Sequence, residues 1–392
     1  MIRLLPFDHA IRNLGRSWRR LLLVSGGSAV VSLLVVGAIA FGRGLERSLG
    51  ESGLARNMLL VGAGSEDSLE RSEIPATVAG IAAASLDGLA TAAGEPVVSP
   101  EIHAALPCLA DDALGAPDAG DATLRAPPVL IRGVERAAFA AHPQVRLAEG
   151  RWPVRGADEI ALGLDAARRI GASTGDGVRI AGERLVVVGL LSAPGTVMHG
   201  EAWMRLDRLA ALLRRTSHSC VVVGLGEAEE ADLESFALSR LDLEISAMRE
   251  DAYFARLAEF LGPIRVLVAA SALLVATGGV LGGLNGMYAA FASRVREVAT
   301  LQAIGFSRTA IAVSLAIEST VACVAGSLVA TAASFLLLDD IVVHLSMGSF
   351  RLVADETAIA GGLVAGLLLG LVGATPPVLR SLSISIPAGL RA

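Results

Sequence analysis

Few side chains in this sequence stand at spacings that could do covalent chemistry. His199 and Glu201 lie two positions apart and His103 and Cys108 five, but no further ligand follows either pair at metal-site spacing, so the His199 stretch reads as a turn. No G-x-S-x-G elbow occurs. All 33 of the Lys+Arg total are arginine, which excludes a P-loop lysine, a lysine Schiff base and a Ser-Lys dyad. If ATP drives this protein, another chain hydrolyses it. What the residues do offer is recognition. The segment 293–308, SRVREVATLQAIGFSR, interrupts two long uncharged runs. On a helix, Val295, Val298, Ala299, Gln302 and Phe306 share one face, suited to the membrane surface or to neighbouring helix ends. The opposite face carries Arg296, Glu297, Thr300, Ser307 and Arg308, with Ile304 in its middle. One isoleucine on a polar face is a knob that a partner's apolar groove could take up. Gly305 follows it, giving a close approach or a helix stop. A helix that only anchors a loop at the membrane interface is the competing reading of the same pattern.

The elements around this segment are membrane spans. Apolar residues make up 53% of the chain and are bunched. Uncharged windows at Leu21–Gly42, Val266–Ser293 and Thr357–Leu379, with Thr309–Leu338 whose one charge is Glu318, each reach the length of about 20 residues that a bilayer requires. Four spans are therefore expected, at 21–42, 264–292, 309–338 and 357–379. Ala38-Ile39-Ala40 resembles a signal cleavage site, but the apolar run exceeds the roughly 7–15 residues of a signal core, so a retained span is expected. Arg3, Arg12, Arg16, Arg19 and Arg20 precede the first span, and Arg294, Arg296 and Arg308 lie between the second and third. By the positive-inside rule these flanks are cytoplasmic. The expected order is an amphipathic cytoplasmic N-terminus (1–20), the first span, an outer domain with stalks (43–263), the second span, a cytoplasmic coupling helix (293–308), the third span, a short outer loop (339–356), the fourth span and a cytoplasmic tail (380–392). A single intramembrane glutamate favours a structural acceptor that fixes the helix after the coupling segment, because proton relays need partners in the membrane. Gly278-Gly279 and Gly282-Gly283, and Gly362, Gly366 and Gly370, recur at four-residue spacing. That spacing permits close helix packing and is consistent with dimerisation.

The outer domain reads as α+β. Residues 45–56 continue the first span as helix, NMLLVGAG is strand and turn, Thr77–Ala93 is helical and PVVSPEIHAAL is a strand. SCVVVGL, a helix over 227–239 and LDLEISAM repeat the series, so one α/β subdomain is split by an insertion at about 104–216. That insertion opens with a loop, CLADDALGAPDAGDATLRAPP, and is mostly β: VLIRGV, EGRWPVRGADEIALG and a hairpin in STGDGVRIAGERLVVVGLLS, with WMRLDRLAALLRR as an amphipathic helix on the sheet. REDAYFARLAEF is a helical stalk into the second span. Cys108 and Cys220 could pair, Cys323 packs within a span, and the acidic run Glu227–Glu234 is a solvated helix face. The expected fold is thus a four-span α-helical membrane protein with a large extracytoplasmic α+β domain on helical stalks. A net charge of -6 gives no nucleic-acid footprint.

EVATLQAIGFSRTAIAVSLAIES is similar to a stretch of the FtsX-like and MacB-like permease family, in Arg296-Glu297, the triplet Ala303-Ile304-Gly305, Ser307-Arg308 and a span bearing Glu318. NMLLVGAGSEDSLERSEI, EGRWPVRGADEIALG, VVVGLLSAPGTVMHGEAWM and the tail SLSISIPAGLRA, with Pro387, Leu390 and Arg391, resemble further family segments in the same order. The chain departs from MacB in having about 20 residues before its first span, a length that holds no nucleotide-binding domain, so it resembles the separate permease type. The resemblance implies a permease homodimer bound by ABC ATPase subunits that carry ATP and Mg, with no cofactor on this chain. It also implies a possible periplasmic adaptor, contact with membrane lipids and a place in a bacterial inner membrane. Leu301, Ile304 and Gly305 would face the ATPase groove, Val298 the edge, and Arg296, Glu297 and Arg308 the rim. The function implied is transmission of ATPase motion to the outer domain, which exports or extracts an amphiphile, lipid, lipoprotein or peptide. An FtsX-like scaffold that activates a cell-wall hydrolase without transport is the alternative, and an anchored sensor without an ATPase a third reading.

Overall fold

The computed structural model describes residues 18–111, 126–292, 295–338, 341–345, 348–383 and 387. Arg294, the loop 112–125, both chain ends and the side chain of Asn285 lie outside the described residues. In chain order the principal elements are helix α1 (Trp18–Ser52), strand β1 (Asn57–Gly62), α2 (Val78–Ser85), β2 (Val98–Ala110), β3 (Pro128–Val134), α3 (Ala138–Ala141), β4 (Arg146–Gly150) and β5 (Glu159–Gly163). Then come α4 (Leu164–Ile170), β6 (Gly177–Ile180), β7 (Glu183–Ser192), β8 (Ala202–Arg205), α5 (Leu206–Leu213), β9 (Cys220–Gly224), α6 (Glu230–Ser239), β10 (Ile245–Arg249) and α7 (Glu250–Phe260). The rest are α8 (Gly262–Ala292), α9 (Val295–Ala303), α10 (Arg308–Leu337), the hairpin strands β11 (Val342–Leu345) and β12 (Gly348–Arg351), and α11 (Glu356–Ser383). Two compact units result: residues 44–261 with 342–351, and the remainder.

In the remainder, four helices are long and apolar enough to cross a membrane, over Leu21–Ser52, Gly262–Gly282, Arg308–Leu337 and Glu356–Arg380. Small residues set their packing. A Cβ at Gly326 would lie 2.1 Å from the carbonyl oxygen of Ser25, so α1 and α10 touch backbone to backbone. Ser25 Oγ and Ser28 Oγ donate across this contact to the carbonyls of Ala322 and Cys323, each at 2.8 Å. Gly362 faces Val36, Gly366 faces Ser327 and Gly370 faces Thr320. The glycine stripe that sequence spacing associates with dimerisation is therefore taken up inside the chain. Gly278 and Gly282 of α8 meet nothing within 4 Å.

The larger unit holds two subdomains joined by one long strand. β1, α2, β2, β9, α6 and β10 form a split βαβ sandwich whose antiparallel sheet runs β10-β1-β9-β2. β1 and β9 are buried along their whole length, because α2 and α6 cover one face through Val78, Ala82, Leu233 and Phe236, while α7 and α3 lie on the other. α2 is shorter than the sequence suggests. The chain turns at Gly88, with φ at +73° and a Cβ position 2.8 Å from the backbone nitrogen of Ala228, where only glycine fits.

β2 is longer than expected and takes in Cys108–Ala110, which sequence composition assigns to the loop. Its first residues pair with β9, its middle with β3 and its end with β6. β3 then pairs with β8, β8 with β5, β5 with β7 and β7 with β6, which closes a six-strand ring. The insertion is thus a small barrel filled by Ile102, Val129, Ile131, Ile160, Leu162, Val178, Leu185 and Met204. Trp203 and Met204, expected at a helix start, belong to strand β8, and only Leu206–Leu213 is helical, with Leu206 and Leu209 against the barrel core. The turn between β6 and β7 has positive φ at both Ala181 (50°) and Gly182 (88°), the two-residue hairpin geometry that matches strand twist. Cys108 and Cys220 are free thiols, both buried.

Candidate functional site

The recognition segment is a short helix with a defined stop. In α9, Val298 and Ala299 are each 4% exposed, Val298 packs with Ile311, Leu315 and Val378, and Leu301 and Phe306 lie partly buried against the same cluster. After Ala303 the chain closes a Schellman turn. The Phe306 amide donates to the Leu301 carbonyl at 3.1 Å and the Gly305 amide to the Gln302 carbonyl at 3.0 Å, with Gly305 at φ +101°. Ser307 then caps α10, its hydroxyl accepting from the Ala310 amide at 3.2 Å. The glycine is thus a helix stop, and it leaves Ile304 at the tip, 62% exposed. Arg296, Glu297 and Arg308 are exposed around it. Val298 sits with the buried face rather than at the edge, and Leu301 is turned half inward, so of the apolar residues assigned to a groove only Ile304 stands clear. Glu318 is buried on α10 beside Ser319.

The outer domain contains a second polar constellation that sequence reading misses. Arg132 of β3 donates through Nε and Nη2 to both oxygens of Glu201, at 2.8 and 2.9 Å, and through Nη1 to Glu101 Oε2 at 2.8 Å. His103 Nε2 lies 3.0 Å from Glu101 Oε2, and His142 Nε2 lies 2.8 Å from Glu101 Oε1. Trp203 Nε1 donates to Glu201 at 3.0 Å. Asn57 Nδ2 and the Leu54 amide donate to Glu250 Oε2 at 2.8 and 2.9 Å. All of these side chains are buried. Burial opposes ionisation of Glu101, but the charges of His142 and Arg132 outweigh it and hold its carboxyl well below the usual range. Glu201 is lowered in the same way, with Arg132 overcoming burial. For His142 burial is overcome by Glu101 and its basicity rises, whereas His103, buried beside Arg132, falls. Burial also pushes the Cys220 thiol well up and raises Glu250.

Glu101, His103 and Cys220 bring three potential ligand atoms within 4.8 Å of one another. The Glu101 oxygen nearest His103 already accepts from Arg132, so protein charge closes the cluster and it does not have the character of a metal centre. The signal available in sequence was alternation: Glu101 and His103, and Glu201 and Trp203, are two apart and share the strand face opposite the barrel core. Register brings the pieces together, since His103 pairs with Arg132, Trp203 with Arg132 and Cys220 with Glu101.

A third feature belongs to the connection between α10 and α11. The hairpin β11–β12 packs on the turn Val197–Gly200, where Phe350 and Ser349 are buried. Asp165, 3% exposed, accepts from Ser349 Oγ at 3.4 Å and from Arg351 Nη2 at 3.2 Å, with His199 Nε2 at 3.7 Å. A Cβ at Gly200 would come 2.2 Å from Ser349 Oγ.

Comparison with known families accounts for this architecture. Residues 22–240 match the MacB-like periplasmic core domain and residues 269–386 the FtsX-like permease C-terminal domain. The chain belongs to this family of ABC transporter permeases. It is similar to the periplasmic region of MacB from Actinobacillus actinomycetemcomitans, with 11% identity and a TM-score of 0.38 over 51% of this chain and 92% of that one. It is also similar to the extracellular domain of the noncanonic ABC-type transporter YknZ from Gram-positive bacteria, with 13% identity and a TM-score of 0.36 over 49% of this chain and all of that one (100%). No curated protein matches the chain significantly.

Proposed function

We propose that this permease converts the motion of a separate ATPase subunit, which binds ATP and Mg, into movement of its outer domain. The observation that carries the reading is Ile304, an isoleucine 62% exposed at the tip of a short helix on which Val298 and Ala299 are buried and Val295 and Leu301 half-buried. Such a side chain, with Gly305 beside it, supplies an apolar anchor, and Arg296, Glu297 and Arg308 a polar rim, the composition of a groove-docking helix. On this reading the segment and both termini lie on the cytoplasmic side of a bacterial inner membrane and the outer domain in the periplasm, a sidedness that the arginine flanks support. The cargo is an amphiphile, lipid, lipoprotein or peptide taken from the outer face; Glu318 as the one buried acid of the described spans, beside milder polar sites such as Ser28, Ser32, Ser319 and Ser327, supports a route outside the bundle. A second copy of the chain and a periplasmic adaptor complete the assembly.

The test is mild extraction of the tagged chain from its native membrane, with mass spectrometry of what accompanies it. Wild type should bring down a P-loop ATPase that Ile304→Asp loses. An adaptor in the same complex supports export, and a cell-wall hydrolase in its place supports the regulatory scaffold. Absence of any ATPase from the wild-type complex refutes the coupling role.

A further inference from the structure

His142 lies fully buried between two carboxylates from different parts of the outer domain. Its Nε2 is 2.8 Å from Glu101 Oε1 on the barrel strand β2, and its Nδ1 is 3.6 Å from Glu250 Oε1 at the first residue of α7. Nδ1 has no hydrogen-bond partner at this separation, although it is shielded from solvent. The other oxygen of Glu250 is committed to Asn57 and to the Leu54 amide, just beyond the outer end of α1. The remaining charge that faces the ring is Arg132 of β3, whose Nη1 is 3.5 Å from Nε2. Glu201 and His103 stand one residue further, on Arg132 and Glu101. Trp203 meets the ring edge-on at 5.9 Å and adds no charge.

An imidazole with one proton can donate to only one carboxylate. If that proton sits on Nε2 for Glu101, the Nδ1 lone pair faces a carboxylate oxygen, which is repulsive in a site without water. A second proton, on Nδ1 or on Glu250 itself, lets the same contact shorten into a hydrogen bond, charge-assisted when the proton is on Nδ1. We propose that His142 and Glu250 form a proton-operated latch, in which one shared proton ties the head of α7 and the end of α1 to the barrel and its loss frees them. Beyond α7 the chain runs through Leu261 into α8, so the latch acts on the segment that leads to the second span. This inference needs no ATPase and is separate from the coupling role.

Hydrogen exchange on the full-length chain in nanodiscs tests it, at about pH 6 and about pH 9, with rates corrected for intrinsic exchange. The reporters are peptides covering 50–58, which contain the Leu54 amide, together with 137–145 and 250–257. In the wild type, exchange in these peptides should rise about tenfold at the higher pH, which is about 1.4 kcal/mol of opening free energy. Glu250→Gln presents Nδ1 with a neutral amide donor at every pH, so its exchange should be slow and flat. His142→Asn should be fast and flat. Exchange that is independent of pH in the wild type, or a slope in Glu250→Gln equal to that of the wild type, overturns the proposal. The Glu250→Gln arm stands even if the His142 variant fails to fold.

Discussion

Truncating Ile304 should weaken partner binding without disturbing the fold, and the structure gives the size of the effect. Ile304→Ala removes three carbon groups, worth about 0.8 kcal/mol each on full burial, or roughly 2.4 kcal/mol. Because 62% of the residue is exposed, at most that fraction remains for a partner to bury, which leaves about 1.5 kcal/mol, or roughly a tenfold loss of affinity. The share lost from the chain's own stability is about 1 kcal/mol or less. Val298→Ala reverses the balance. Val298 is 4% exposed, so its truncation should cost about 1–2 kcal/mol of bundle stability and change partner affinity only indirectly. The assay is titration of the purified ATPase onto nanodisc-held permease, paired with thermal unfolding of each variant alone. If Ile304→Ala destabilises the bundle more than Val298→Ala, or leaves ATPase affinity unchanged, the assignment of faces on α9 is wrong.

Arg132→Leu leaves Glu101 and Glu201 buried without their shared cation, and should destabilise the outer domain by about 3–5 kcal/mol, read from the emission of Trp203 and Trp152 during unfolding. Gly326→Val drives a side chain into the Ser25 carbonyl, where even a Cβ would stand at 2.1 Å, and should abolish a heat-stable bundle in detergent, whereas Gly282→Ala, with nothing within 4 Å, should be tolerated. Gly200→Val should undock the β11–β12 hairpin and expose 342–351 to limited proteolysis. Stability of the outer domain should pass through a maximum in pH. Glu101 and Glu201, lowered from 4.5, and His103, lowered from 6.5, stabilise fully above those values and lose their contribution as pH falls. His142, raised from 6.5, and Glu250, raised from 4.5, contribute below those values and lose it as pH rises through their folded values. Glu250→Gln should therefore make the alkaline flank shallower, leaving the part that His142 owes to Glu101, and keep the acid flank in place.

The spans and the split subdomain were legible because each is written in a local pattern: uncharged runs of membrane length for the spans, and two strand-helix-strand series for the subdomain. The position of Ile304 followed from helical periodicity alone, whereas the inward turn of Leu301 and Val298 depended on α10 and α11, which periodicity does not contain. The barrel was legible as β composition but not as a closed ring. Closure rests on β2 changing partner three times, from β9 to β3 to β6, and no local signal marks those changes. The ionic cluster was hidden for the same reason. Glu101, Arg132, His142, Glu201 and Glu250 come from five separate segments, and each alone looks like an ordinary surface charge until strand register collects them.

Those five residues also bear on the kind of body the outer domain is. An apolar layer between barrel and sandwich would hold them together, yet would allow sliding, since apolar contact is not directional. Arg132, held in the barrel by two parallel hydrogen bonds to Glu201, reaches Glu101, whose stretch of β2 pairs with β9 of the sandwich, and its fixed fork tolerates little rotation. Glu101 accepts from both sides of this junction, and Glu250 fixes the start of α7 to Asn57 of β1. Desolvating these charges costs stability that an apolar core would not cost. What the arrangement gains in exchange is a defined orientation between the barrel and the sheet that carries the stalk end. On the coupling role proposed above, a domain that moves as one piece when pushed from its stalk needs that orientation more than it needs the lost stability. If so, replacing Arg132, Glu101, Glu201, His103 and His142 together by apolar residues of similar volume should keep the melting temperature close to wild type while the proposed coupling to the ATPase falls. Retained coupling in such a variant would show that rigidity at this junction is not what the charges are for.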